Sequence, residues 1–141
     1  MAAPTRWMLD TNMVSYALKG TYPAVRAHMA RRPPAALCIS AITQSELLYG
    51  VAKNPAATRI KGVVDELLRW VEVLDWNANV AAVHGALRAD LERHGVGLGA
   101  FDLMIAAHAL ALDAVLVSND RAFAQVPGLK LDNWAVGESP G

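Results

Sequence analysis

Acidic side chains fall at corresponding places in four separate units: Asp10 after the apolar run Trp7-Met8-Leu9, Glu46 in the helix beyond Leu37 to Ser40, Asp102 at the start of the apolar helix Ala100 to Leu112, and Asp120 after Ala114 to Ser118. If those places converge, they enclose a pocket lined by oxygen alone. Carboxylates ~4 Å apart repel by about 4 kcal/mol per pair at an effective dielectric of ~20, so such a cluster needs protons or a cation within it. No cysteine or histidine stands beside these acids in the sequence, and hard oxygen ligands favour Mg²⁺ or Mn²⁺ over zinc. Each acid also has a plainer reading. Asp10, Thr11 or Asn12 is a good N-cap for the helix that follows. Thr43-x-x-Glu46 has the spacing of a capping box. Asp102 in a first turn suits the helix dipole, and Asp120 suits a turn.

The elements that must position these acids are legible from periodicity and breakers. Trp7 to Leu9 reads as a buried strand, followed by a helix from Val14 to Lys19 that ends at Gly20. Thr21 can cap a second helix, with Pro23 in its first turn, running to about Arg31. Pro33-Pro34 forces an extended connection before the strand Leu37 to Ser40 and a helix from Ala41 to Lys53, closed by Asn54-Pro55. From Ala56 to Trp70 the apolar series Ile60, Val63, Val64, Leu67, Leu68, Val71 has helical spacing. Val71 to Leu74 is a third strand, and Asn77 or Asn79 opens a helix through Arg93, ended by His94-Gly95. Beyond the loop Gly95 to Gly99, Ala100 to Leu112 is apolar nearly all round and predicts a buried helix. Ala114 to Ser118 is a fourth strand, Phe123 to Gly128 is irregular, and Leu129 to Leu131 is a candidate fifth strand. Short apolar strands alternating with helices predict a single-domain, three-layer α/β/α fold with a four- to five-stranded parallel sheet. The domain spans residues 1–136, with 137–141 a flexible tail.

Composition narrows the classes. A chain of 141 residues that is 54% hydrophobic and 18% charged has material for one substantial core and for apolar surface beyond it. Thirteen basic residues balance thirteen acidic ones, so the whole-chain charge gives no case for a generic polyanion binder and leaves any nucleic-acid site to a local patch. Cys38 is the single cysteine, cannot form an internal disulfide and sits in an apolar run, where it reads as core in a reducing compartment. With no long apolar run and no signal-peptide layout, no membrane role follows, and the expected location is cytoplasmic.

Leu9-Asp10-Thr11-Asn12, Ser45-Glu46-Leu47-Leu48-Tyr49-Gly50, Gly99-Ala100-Phe101-Asp102 with Leu103 to Ala109, and Val117-Ser118-Asn119-Asp120, in that order and spacing, resemble the PIN-domain ribonucleases. The similarity is specifically to the VapC-type toxins of bacterial toxin-antitoxin pairs, and it covers nearly the whole chain. It implies a sheet with the first strand central, an acidic Mg²⁺ site held by Asp10 and Asp102, and endonucleolytic cleavage of RNA. Asp10, Glu46 and Asp102 carry over as core acids and Asp120 as a fourth. Thr11 and Asn12 would orient the site, and Ser118 or Asn119 would support it. The compact segment after the fourth strand leaves open whether Asn119 or Asp120 faces the metal. Asp113 stands where the family usually has glycine, at a helix end whose backbone aspartate tolerates. The implied chemistry is metal-assisted phosphodiester hydrolysis with no nucleophilic serine or cysteine. The implied partners are an RNA substrate, a second copy in a homodimer, and a small antitoxin whose C-terminal segment lies across the groove. Because an acidic pocket also accepts a guanidinium, that antitoxin is expected to cover the helices with an apolar stretch and direct an arginine or lysine at Asp10, Glu46 and Asp102.

Two rival classes compete with this reading. A receiver-like phosphoacceptor would also gather aspartates around Mg²⁺, but it needs an adjacent acid pair and a late lysine. Asp10 is followed by threonine and asparagine, and Ser118-Asn119-Asp120 offers no lysine. A catalytically silent PIN-like interaction module would share the fold and differ only in a nuclease assay. His108 lies among apolar neighbours and reads as core or interface, as do Trp70, Trp76 and Trp134. Arg31, Arg32, Lys53, Arg59, Lys61, Arg88 and Arg93 are possible phosphate contacts against the plainer reading of solvated surface.

Overall fold

In the computed structural model, which describes residues 4–56 and 58–136, the apolar run beginning at Trp7 forms the middle strand of a five-stranded sheet. The strands are β1 (Trp7–Leu9), β2 (Leu37–Ser40), β3 (Glu72–Leu74), β4 (Val115–Val117) and β5 (Lys130–Asp132), in the order β3-β2-β1-β4-β5. Every pairing is parallel; Trp7 lies opposite Leu37 on one side and Val115 on the other. The chain therefore changes direction of growth between β1 and β4. A crevice at the carboxyl ends of strands at such a point is the usual ligand position in open α/β sheets.

Helices α1 (Thr11–Lys19), α2 (Pro23–Ala30), α3 (Ala41–Ala52), α4 (Thr58–Trp70), α5 (Ala78–Arg93) and α6 (Ala100–Leu112) cover both faces. Alternation along the strands separates the core into two layers. Met8, Cys38 and Leu116 point to the side of α5 and α6, where they meet Ile105, Ala106 and Phe123. Their neighbours Leu9, Ile39 and Val117 point the other way, onto Met13, Val14, Val64 and Trp134. Because both faces are covered, the central strands carry no polar alternation, and all four residues of β2 are buried.

Several local expectations need correction. Thr21 does not cap α2: Tyr22 is the N-cap without a side-chain bond, and Pro23 at the first position fixes the helical φ instead. Thr43 and Glu46 form no capping box. Ser40 caps α3 by accepting the Ile42 N–H at 3.1 Å, which places Thr43 inside the helix. Pro33 is extended as expected, but Pro34–Ala36 is a 3-10 turn, and so is Arg121–Gln125. Helix α4 begins at Thr58 rather than Ala56. Asp113 does hold the left-handed conformation at φ 53°, and its carboxylate pairs with Lys130 at 2.9 Å. Of the tryptophans, Trp134 is fully buried, whereas Trp70 is 63% exposed and so is not core. The proposed tail at 137–141 lies outside the described residues. Among the described residues no helix is long and apolar enough to cross a membrane.

Candidate active site

Asp10 is delivered to the carboxyl end of the sheet by a backbone held on both sides. Its N–H donates to the Val117 carbonyl at 3.0 Å, and its carboxylate accepts the Met13 N–H at 2.8 Å, so it caps α1 as well as ending β1. Only 3% of it is exposed. Burial pushes its pKa up to about 6; hydrogen bonds from Ser118 and the Met13 N–H work against that rise, and the charges of Asp102 and Asp120 add to it.

Glu46, one turn beyond Thr43 on α3, accepts the Thr11 hydroxyl at 2.6 Å, and the same hydroxyl lies 3.4 Å from that of Thr43. This contact joins the first turn of α1 to the middle of α3. Asp102 is the acid of the first turn of α6, whose N-cap, Gly99, has no side chain to offer. A Cβ at Gly99 would stand 3.6 Å from an Asp102 oxygen. Burial raises the Asp102 pKa, and the charges of Asp120 and Glu46 raise it further.

The segment after β4 supplies the remaining groups. Ser118 is buried, and its hydroxyl accepts the Asp120 N–H at 3.0 Å. Asn119 donates to the Tyr16 hydroxyl at 3.2 Å, which turns its amide toward α1. Asp120 accepts the Ala122 N–H at 2.9 Å, confirming a turn-capping role, yet its charge is felt at both Asp10 and Asp102. Asn12 is exposed and makes no side-chain hydrogen bond to a described residue. Asp120 thus bears on both Asp10 and Asp102, Asp102 on Asp10, and Glu46 on Asp102, each neighbouring charge favouring the protonated form of the acid it faces. Among the described residues none of them has a basic side chain within ion-pair distance. As the side chains lie, no three potential ligands of the described residues are placed to hold one ion together.

Sequence reasoning put His108 in the core, where it is, but missed its partner. Its Nδ1 lies 2.8 Å from the Ser40 hydroxyl, a buried polar contact that ties α6 to the start of α3. Burial lowers the His108 pKa, against an opposing pull from Asp75. The signal was a lone polar residue in the buried part of an otherwise apolar helix. Most of the suggested phosphate contacts are otherwise engaged. Arg32 lies over the Trp7 and Trp134 rings, Lys53 over Tyr49, and Lys61, Arg88 and Arg93 pair with Asp65, Glu92 and Asp90.

Two cavities adjoin one another on this face. One of about 490 Å³ starts at Thr11 and Glu46 and runs past Ser15, Lys19, Gly50 and Arg59. The other, of about 790 Å³, shares Leu18, Arg59 and Val63 with it and is walled by Met29, Leu67 and Trp70.

Residues 7–129 match the PIN domain family model. The chain is 36% identical over 130 residues to the tRNA(fMet)-specific endonuclease VapC of Salmonella typhimurium, covering 92% of this chain and 98% of that protein. It is 36% identical over 132 residues to ribonuclease VapC2 of Rickettsia felis, covering 91% and 97%. A crystal structure of DNA-bound VapBC from Salmonella typhimurium superimposes with a TM-score of 0.87 at 36% identity, over 93% of this chain and 99% of that one. An acid cluster at the centre of a parallel sheet, a family match over nearly the whole chain and relatives matched over 97–98% of their own length agree: this chain belongs to the PIN-domain family, among the VapC ribonucleases.

Proposed function

We propose that the chain is a Mg²⁺-dependent endoribonuclease, the toxin of a cytoplasmic toxin-antitoxin pair. The observation that carries the proposal is the convergence of Asp10, Glu46, Asp102 and Asp120 from four separate segments with no cation of the described residues among them. The fit to a hard divalent ion rests on that donor set, which is all oxygen and short of positive charge. Asp10 and Asp102 would hold the metal, with Asp120 beside them. Bound there, Mg²⁺ (or Mn²⁺) would supply Lewis acidity, easing ionisation of water and neutralising charge on the phosphate oxygens.

The chain's own residues divide the remaining work. Hydrogen bonds from Ser118 and Met13 favour the ionised form of Asp10 against its burial. Thr11 occupies Glu46 Oε1 and leaves Oε2 to accept a proton from an attacking water. Cys38 is buried, and its thiol pKa is pushed up to about 11 by that burial, which disqualifies it as a nucleophile. Asn119 is turned to Tyr16, so Asp120 is the member of that pair assigned to the site.

The partners we assign are an antitoxin and a second copy of the chain. The relatives' structures are of VapBC assemblies, and the apolar cavity walled by Met29, Leu67 and Trp70 suits an apolar antitoxin segment. Exposed Leu48, Tyr49 and Phe101 offer surface for self-association. The test is RNA cleavage by the purified protein in Mg²⁺ or Mn²⁺ and in EDTA. Cleavage abolished by EDTA and restored by the metal is expected. Equal cleavage in EDTA would remove the metal, and no cleavage in any condition would favour a silent module.

A further inference from the structure

We propose that the cavity running from Glu46 to Arg59 is a subsite for the RNA strand beside the scissile phosphate, one that grips the backbone and reads no base. The proposal rests on the ribonuclease reading above and adds where the substrate lies. Thr11, Ser15 and Lys19 recur every four residues on α1 and so form one wall, about 12 Å long at 1.5 Å per residue. Glu46, Leu47, Gly50 and Val51 form the wall opposite, and Arg59, Ile60, Val63 and Val64 of α4 close the cavity.

Three features select a nucleic-acid strand. Lys19 and Arg59 have no acidic partner among the described residues, although Arg6, Lys61, Arg69, Arg88, Arg93 and Lys130 all pair with acids. They line the same cavity as Glu46, with Lys19 two turns along α1 from Thr11, which bonds Glu46, so acid and base stand at separate places along it. A chain with phosphates at regular intervals meets that pattern with one phosphate at the acids' cation and the next ones at Lys19 and Arg59. Secondly, Gly50 lines the cavity one turn from Glu46 and a Cβ there would stand in open space, so a long side chain at this position would enter the room left for the strand. Thirdly, the lining is aliphatic between the polar groups and has no aromatic ring for a base to stack on. Such a surface tolerates any base, and specificity must arise elsewhere. The adjoining larger cavity, with its exposed Trp70, is the better seat for protein.

The experiment measures cleavage of a short fluorescein-labelled single-stranded RNA in Mg²⁺, and its binding by anisotropy, for wild type, Lys19→Gln/Arg59→Gln and Gly50→Glu. Lys61→Gln, on the same helix as Arg59 but outside the cavity, controls for the loss of a basic side chain elsewhere on that helix. KM is expected to rise about tenfold in the double variant with kcat little changed. The salt dependence of binding should flatten by about 1.4, two contacts at ~0.7 each on a single strand. Gly50→Glu should raise KM alone, and Lys61→Gln should do neither. If wild type binds RNA without cutting it, the same rise in Kd supports the subsite while the enzyme reading falls. Cleavage or binding that is unchanged in both cavity variants overturns the subsite and leaves the enzyme reading intact. The subsite is equally overturned if those variants lose only a protein partner. A wild type that neither cuts nor binds the RNA overturns both.

Discussion

Asp10 serves two structures at once, capping α1 through Met13 and facing the acids of α6 and the β4 turn. The second role costs stability. With an unfolded pKa of about 3.9 and a folded value of about 6, the native state binds the proton more tightly. That contribution is complete below the unfolded value and is lost as pH rises through 6, a difference of about 3 kcal/mol. Asp102, also raised, acts in the same direction. The metal-free protein is therefore expected to lose stability between pH 4 and pH 8 in urea titrations, and Asp10→Asn, which keeps the cap, should lose much of that slope. An identical slope in both proteins would show that Asp10 is not strained by its neighbours. In activity, Asp10→Asn, Glu46→Gln and Asp102→Asn should each reduce turnover by at least ~100-fold, about 2.7 kcal/mol of barrier. Thr11→Val separates position from charge, because Glu46 keeps its carboxylate but loses the 2.6 Å bond that aims it. An intermediate loss in kcat is expected; full activity would mean that Thr11 only packs.

At the scale of the element, β1, β2 and α6 have the bounds the sequence indicates, because an apolar run between breakers leaves no other register. Asp10, Asp102 and Asp120 were legible for a related reason: each follows directly from a strand or opens a helix. Glu46 was harder to read. Its spacing to Thr43 mimics a capping box, and only the position of Ser40 as cap shows that its partner is Thr11 on another helix. Lys19 and Arg59 were not legible as a pair, since α1 and α4 meet only through tertiary packing. Thr21 misled because local capping preference gave way to proline, whose ring pre-sets the first turn of α2. Asp113 shows the reverse case, a local rule that holds under strain. Asp113→Gly should stay within about 1 kcal/mol of wild type, trading an exposed ion pair for relief of φ 53°. Asp113→Val should lose about 1–2 kcal/mol by urea unfolding, since a β-branched residue resists that backbone. Equal stability of the two variants would remove the strain argument.

At the scale of the whole molecule, a chain with 13 basic and 13 acidic residues concentrates its charge rather than accumulating it. Asp10, Asp102 and Asp120 gather at the sheet's carboxyl end, and carboxylates so placed can pair with the planar fork of a guanidinium. The product of the neighbouring gene is expected to abolish RNA cleavage, and a peptide from its C-terminal half should do the same until its arginines and lysines are replaced. Undiminished cleavage at saturating partner would defeat that reading. The strand order has a further consequence, one of timing. Of the four acids Asp10 is made first, but its N–H partner Val117 and the acids Asp102 and Asp120 follow only after strands β2 and β3 and the helices around them. Parallel pairing of β1 with β4 cannot close until β4 exists, and contacts so distant in sequence form late. A half-made chain can therefore hold Asp10 and Glu46 but no complete site, and the acids can come together only when β4 has taken its place beside β1.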